Sequence, residues 1–147
     1  MKPKIPKTPK ILVSVRQRAN ALEALNVMWP SVPVKNVAPS LYFWRDGRTN
    51  EVDCGTVACF GGWCALYPKF REQGVAALLY GTPVLLIGGE VREGPHGVAE
   101  FLFGDASIFN MVPELNLSKA ASHAVVKKRL QDLIAGSKVS RNLERED

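Results

Sequence analysis

A chain of 147 residues suggests one domain, and at this size folding buries roughly two thirds of the surface, enough for a core without metal or disulfide staples. A hydrophobic content of 46% beside 22% charged residues excludes disorder over the whole length, and no apolar run approaches the ~20 residues that span a bilayer. Three cysteines argue against a disulfide framework, no secretory segment opens the chain, and the expected compartment is the cytoplasm.

The net charge of +5 is concentrated at the start. Residues 1–18 carry Lys2, Lys4, Lys7, Lys10, Arg16 and Arg18 and no acid, so the remainder is nearly neutral. Residues 1–13 read as a basic arm. Pro3, Pro6 and Pro9 recur every third residue, which favours an extended, polyproline-like backbone. An extended cationic arm is suited to nucleic acid: six phosphate contacts would give a salt slope of about −5. The ordinary alternative is a solvated, solubilising terminus.

The domain proper is expected over residues 14–136. Ser14 and Gln17 have the spacing of a capping box, and Val15, Ala19, Leu22, Leu25, Met28 and Trp29 follow at helical intervals. This predicts a helix over 15–28, stopped by Pro30. Residues 30–40 hold three prolines and no helical period, and read as an ordered loop. Leu41–Trp44 is an apolar, aromatic cluster expected to be buried. Thr56 is placed to cap a helix over 57–67, ended by Pro68. Gly61-Gly62 in its middle costs about 1 kcal/mol per glycine against alanine, which implies that another element packs against the backbone there.

Phe70–Tyr80 reads as a third helix, broken at Gly74. Val84–Ile87 and Val91 flank Gly88-Gly89 as a small hairpin. Pro95 starts a helix that ends at Gly104, and Asp105 caps a short one through Ile108 and Phe109 to Val112. Ser118 caps a last helix over 119–135, with Lys127, Lys128 and Arg129 on its solvated face. Residues 137–147 read as a polar, frayed tail. The expected fold is mainly α: a helical single domain with one small β-hairpin. Its expected core is Leu22, Leu25, Trp29, Phe43, Trp44, Cys59, Trp63, Phe101, Leu102, Phe109, Leu130 and Leu133.

The run Cys54-Gly55-Thr56-Val57-Ala58-Cys59-Phe60-Gly61-Gly62-Trp63 resembles a Cys-Gly-Thr-x-x-Cys-x-x-Gly-Trp signature of small uncharacterised proteins of bacteriophages and actinobacteria. In that family the signature follows an N-terminal helix and an aromatic segment, here Phe43-Trp44. It precedes a segment like Ala99–Gly104 and a closing helix. Cys64 stands where such proteins more often carry alanine. The resemblance implies a phage or mobile-element origin and a fold, but no chemistry.

Cys54 and Gly55 lie just before the expected helix, where free amides and the helix dipole favour anions and lower a thiol pKa. Gly55, Thr56, Cys59 and Trp63 are therefore the candidate ligand-binding residues. In the competing structural reading, Gly55 turns the chain, Thr56 caps, and the thiols fill tight gaps. No metal or cofactor is expected: Cys54, Cys59 and Cys64 lack a C-x2-C pair, and steps of five residues turn a helical side chain by roughly 140° each, so the thiols diverge.

Two functions follow as expectations. The first is a non-enzymatic, phage-encoded accessory protein in the host cytoplasm that binds a host protein, nucleic acid or a small anionic ligand. The alternative is a cysteine hydrolase, since Asp53-Cys54 and Gly94-Pro95-His96 resemble the layout of NlpC/P60-type peptidases. Cys54 would be nucleophile, His96 base, and Gly97–Phe103 a strand. Phosphate-loop, zinc-protease, calcium-loop and helix-turn-helix motifs are absent from the sequence.

Overall fold

Ser14 begins the first helix through both bonds of a capping box. Its Oγ accepts from the Gln17 amide at 3.0 Å, and Gln17 Oε1 accepts from the Ser14 amide at 2.9 Å. The computed structural model describes residues 11–45, 56–113 and 116–139. Helix α1 spans Val15–Glu23, shorter than expected, because Ala24–Met28 widens into a π turn that passes into a 3-10 turn at Trp29–Ser31. Pro30 supplies no amide, and in an α-helix its ring would crowd the carbonyl four residues back, so the chain leaves α geometry at this point. Two further 3-10 turns, Val34–Asn36 and Pro39–Leu41, carry the chain across the domain. Ser40 and Leu41 sit at φ 54° and 56°, a region that non-glycine residues rarely occupy. Ser40 is held there by its amide donating to Ser122 Oγ at 2.7 Å and its carbonyl accepting from Val112 at 2.9 Å.

Helix α2 spans Phe60–Leu66 and is capped by Cys59 rather than Thr56. Residues 56–59 are extended instead, because Ala58 is bridged to Val37 on one side and Arg45 on the other. Packing against the α2 backbone is as the glycine pair implies. A Cβ on Gly62 would lie 1.7 Å from the Trp44 carbonyl oxygen, and one on Gly61 would lie 2.5 Å from the Trp44 ring.

The mainly α expectation is corrected to a mixed α and β fold with two sheets. The helix expected over 70–80 is a short α3, Pro68–Arg71, followed by strand β2, Val75–Ala77. Gly74 at φ 107° reverses the chain between them. Strands β3, Pro83–Ile87, and β4, Glu90–Glu93, form the expected hairpin, and β2 joins β3 to give an antiparallel β2-β3-β4 sheet. Helix α4, Pro95–Phe103, ends as expected at a left-handed Gly104. Asp105 Oδ1 then caps a 3-10 turn over Ala106–Phe109. Helix α5, Lys119–Gly136, is followed by strand β5, Ser137–Val139, which pairs in parallel with strand β1, Ile11–Val13. The arm and the tail thus each lose three residues to a second sheet that ties the two ends of the domain together. None of the described helices is long and apolar enough to cross a membrane.

The core is centred on aromatic rings. Phe60 meets Trp29 edge-on at 5.3 Å and Phe103 at 5.7 Å, while Phe103 meets Phe70 at 5.6 Å. Trp29, Cys59, Leu102, Phe109, Leu130 and Leu133 are buried as expected. Leu25, Phe43, Trp44, Trp63 and Phe101 pack against the core from its margin. Leu22 is 38% exposed and Tyr42 61% exposed, contrary to expectation. The buried face of α5 is Ser122, Val126, Leu130 and Leu133.

Candidate functional site

Where it is described, the helix entrance expected to hold an anion is buried. Cys54 and Gly55 lie outside the described residues. Thr56 is buried, and its carbonyl accepts from Asn36 Nδ2 at 2.7 Å. The Cys59 amide is shared between the Phe43 and Trp44 carbonyls at 3.1 and 3.2 Å. Burial pushes the Cys59 thiol up to about 12 and raises the Cys64 thiol well above its ordinary value. Both thiols are free and buried, hence poor nucleophiles. Of the three expected ligand residues that are described, Thr56 and Cys59 are buried and Trp63 faces open space.

Two of the six expected phosphate-binding cations are also committed elsewhere. Arg16 donates to Gln73 Oε1 at 3.1 Å and to the Phe101 carbonyl at 3.0 Å, and its guanidinium lies 4.1 Å from the Phe101 ring centre. Arg18 donates to the Ile134 carbonyl at 3.1 Å and to Ser137 Oγ at 2.9 Å. These arginines satisfy carbonyls near the ends of α4 and α5. Lys2, Lys4, Lys7 and Lys10 lie outside the described residues. Arg129, expected on the solvated face, is half-buried and donates to the Asn110 carbonyl.

The hydrolase layout loses its strand. Gly97–Phe103 is helical, and His96 stands exposed in the first turn of α4. Among the described residues no group of three or more His, Cys, Asp or Glu side chains could hold a metal.

The groove that does form lies between the proline-punctuated segment 28–36 and helices α2 and α3. Its volume is about 540 Å³, within the range of small-molecule sites. Buried Met28, Val32 and Leu66 make its floor, and exposed Ser31, Pro33 and Pro68 its rim. Trp63 and Tyr67 supply the aromatic surface, and each is held from behind. The Trp63 indole N–H donates to the Asn36 carbonyl at 3.0 Å. The Tyr67 hydroxyl donates to Glu23, which also meets Lys69 at 3.3 Å. That hydroxyl is pushed up to about 12, by burial first and by Glu23 second. Its bond to Glu23 is the main cause that holds the carboxyl below the usual carboxylate range. On the far side of the 29–32 turn, His123 Nε2 lies 3.2 Å from the Trp29 carbonyl and 3.1 Å from that of Val32, and its ring stacks on Trp29 at 4.8 Å. The groove wall is thus braced by α5.

Comparison of the chain with protein-family models, with curated proteins and with solved structures finds no match. Met28, Val32, Lys35, Tyr67 and His123 carry no motif that marks them in sequence. The only local signal was the spacing of Pro30, Pro33 and Pro68, which marks stiff segments without showing that they face one another.

Proposed function

We propose that this is a non-enzymatic binding protein whose ligand is a small molecule seated against Trp63 in the groove. The observation that carries this reading is the pairing of an apolar floor with two aromatic side chains already fixed by internal bonds. Such a surface needs little ordering on binding, so little of the contact energy is lost to side-chain entropy. The helical setting of His96, which replaces the strand that the hydrolase layout with Cys54 needs, supports binding over thiol catalysis. The resemblance of residues 54–63 to phage and actinobacterial proteins supports an accessory role encoded by a phage.

The test is a titration with N-phenyl-1-naphthylamine, a neutral aromatic probe, followed by fluorescence and by amide and indole NMR shifts. The expected result is saturable binding that moves the Trp63 indole signal and the amides of residues 31–36 and 63–67. Trp63→Leu should weaken the probe at least ten-fold while leaving the circular dichroism spectrum unchanged. Shifts confined to other parts of the surface, or no saturation, would overturn the proposal.

A further inference from the structure

The groove's hydrogen-bond inventory points to the charge of its ligand. The Trp63 indole donates its proton to Asn36, the Tyr67 hydroxyl to Glu23, and the Ser31 hydroxyl to the Met28 carbonyl at 2.5 Å. Asn36 Nδ2 donates to Thr56. The neutral groups that line the groove are therefore engaged as donors within the protein. Among the described residues, the ammonium of Lys35 at the rim forms no hydrogen bond or ion pair.

The surrounding charge has the same sign. Lys119, the first residue of α5, donates to the Lys35 carbonyl at 2.8 Å and brings a second cation to this rim. Lys69 is offset by Glu23, whose carboxylate is occupied by both Lys69 and Tyr67. Among the described residues no carboxylate lines the groove. A cationic ligand would meet the Lys35 ammonium in the lining, with the Glu23 carboxylate already engaged by Tyr67 and Lys69, and a neutral polar ligand would gain few donors. An anion on an aromatic frame satisfies both halves of the site: rings on Trp63 and Tyr67, and the charge on Lys35.

Resting on the proposed binding role, we infer that the groove selects aromatic ligands bearing a carboxylate-like or sulfonate-like group, with Lys35 as the specificity-determining residue. The selection is electrostatic at a half-open rim, so its size is that of a partly solvated ion pair and it weakens as salt screens it.

The experiment compares two probes that share one ring frame. 8-Anilinonaphthalene-1-sulfonate carries the anion, and N-phenyl-1-naphthylamine lacks it. Each is titrated into the full chain and into Lys35→Gln, with NMR shifts used to place the probe. Lys35 is exposed, so the substitution leaves the core intact. Lys35→Gln should weaken the sulfonate probe about five-fold at low salt and leave the neutral probe within two-fold. The difference should shrink as salt is raised. Equal effects on both probes, or no effect on the sulfonate probe, would overturn the charge selection while leaving the groove as a binding site. If neither probe shifts residues 31–36 and 63–67 of the wild-type chain, the binding role itself fails and this inference falls with it.

Discussion

Gly62→Ala provides a strong test of how α2 is seated. An alanine in a helix interior is ordinarily favoured over glycine by about 1 kcal/mol, so propensity alone predicts stabilisation. Here the added Cβ would lie 1.7 Å from the Trp44 carbonyl oxygen and 2.7 Å from its carbon, whereas real Cβ contacts essentially never fall below 3.0 Å. The obstacle is backbone, not the free end of a side chain. To make room, either α2 or the strand-like segment at Trp44 must move by more than an ångström. The same carbonyl accepts from the Cys59 amide at 3.2 Å, so the shift breaks a buried hydrogen bond as well.

Overpacking of this kind costs about 1–3 kcal/mol, and an orphaned buried group about 1–3 more, which together outweigh the propensity gain. The expected net loss is roughly 3 kcal/mol, a large part of the stability of a domain this size. In urea unfolding that corresponds to a midpoint lowered by about 1–2 M. Gly61→Ala meets the Trp44 ring at 2.5 Å, and a ring edge can yield, so its loss should be smaller. Gly136→Ala has nothing within 4 Å at the end of α5 and should be neutral or stabilising by up to about 1 kcal/mol. A Gly62→Ala protein as stable as wild type, or less affected than Gly61→Ala, would refute the close seating of α2 on Trp44.

Three other outcomes follow from the buried groups. Because the Cys59 thiol is raised from 9.0 to about 12, the folded state holds a proton that the unfolded chain releases above pH 9. Stability is therefore undiminished below pH 9 and falls between pH 9 and 12, by about 1.4 kcal/mol per pH unit for this one group. Urea unfolding at pH 8, 9.5 and 10.5 checks this, and Cys59→Ala should make the alkaline limb shallower, the remaining fall coming from Cys64 and Tyr67, which are raised in the same direction. Iodoacetamide should leave Cys59 and Cys64 unmodified in the native protein and label them in denaturant, as read by peptide mass. Native labelling at either position would contradict their burial. Arg16→Ala should cost about 2 kcal/mol, through lost bonds to Gln73 and Phe101 and lost contact with the Phe101 ring. It should leave the salt slope of any duplex DNA binding unchanged, since Arg16 is occupied within the fold. A shallower slope would return Arg16 to the phosphate-binding set.

Much of the chain's local grammar was legible without tertiary information. Ser14 with Gln17, Pro95 with Gly104, Asp105, and Ser118 act through hydrogen bonds and backbone angles within a few residues, so the sequence alone marked the starts of α1, α4 and α5 and the end of α4. The Gly61-Gly62 pair even announced a close approach, though not that Trp44 makes it. Everything that depends on distant partners escaped this reading. Thr56 lost its capping role because Ala58 is bridged by Val37 and Arg45. Ile11–Val13 became a strand only by meeting Ser137–Val139 from the other end of the domain. Arg16 and Arg18 looked like free cations because the carbonyls they satisfy belong to the segments around Phe101 and Ile134. The groove belongs wholly to this second class: Met28, Val32 and Lys35 come together with Trp63 and Tyr67 through packing between elements that share no local pattern. Local hydrogen bonding fixes where helices begin and end, but it carries no record of which faces will meet, and a binding surface is made of faces.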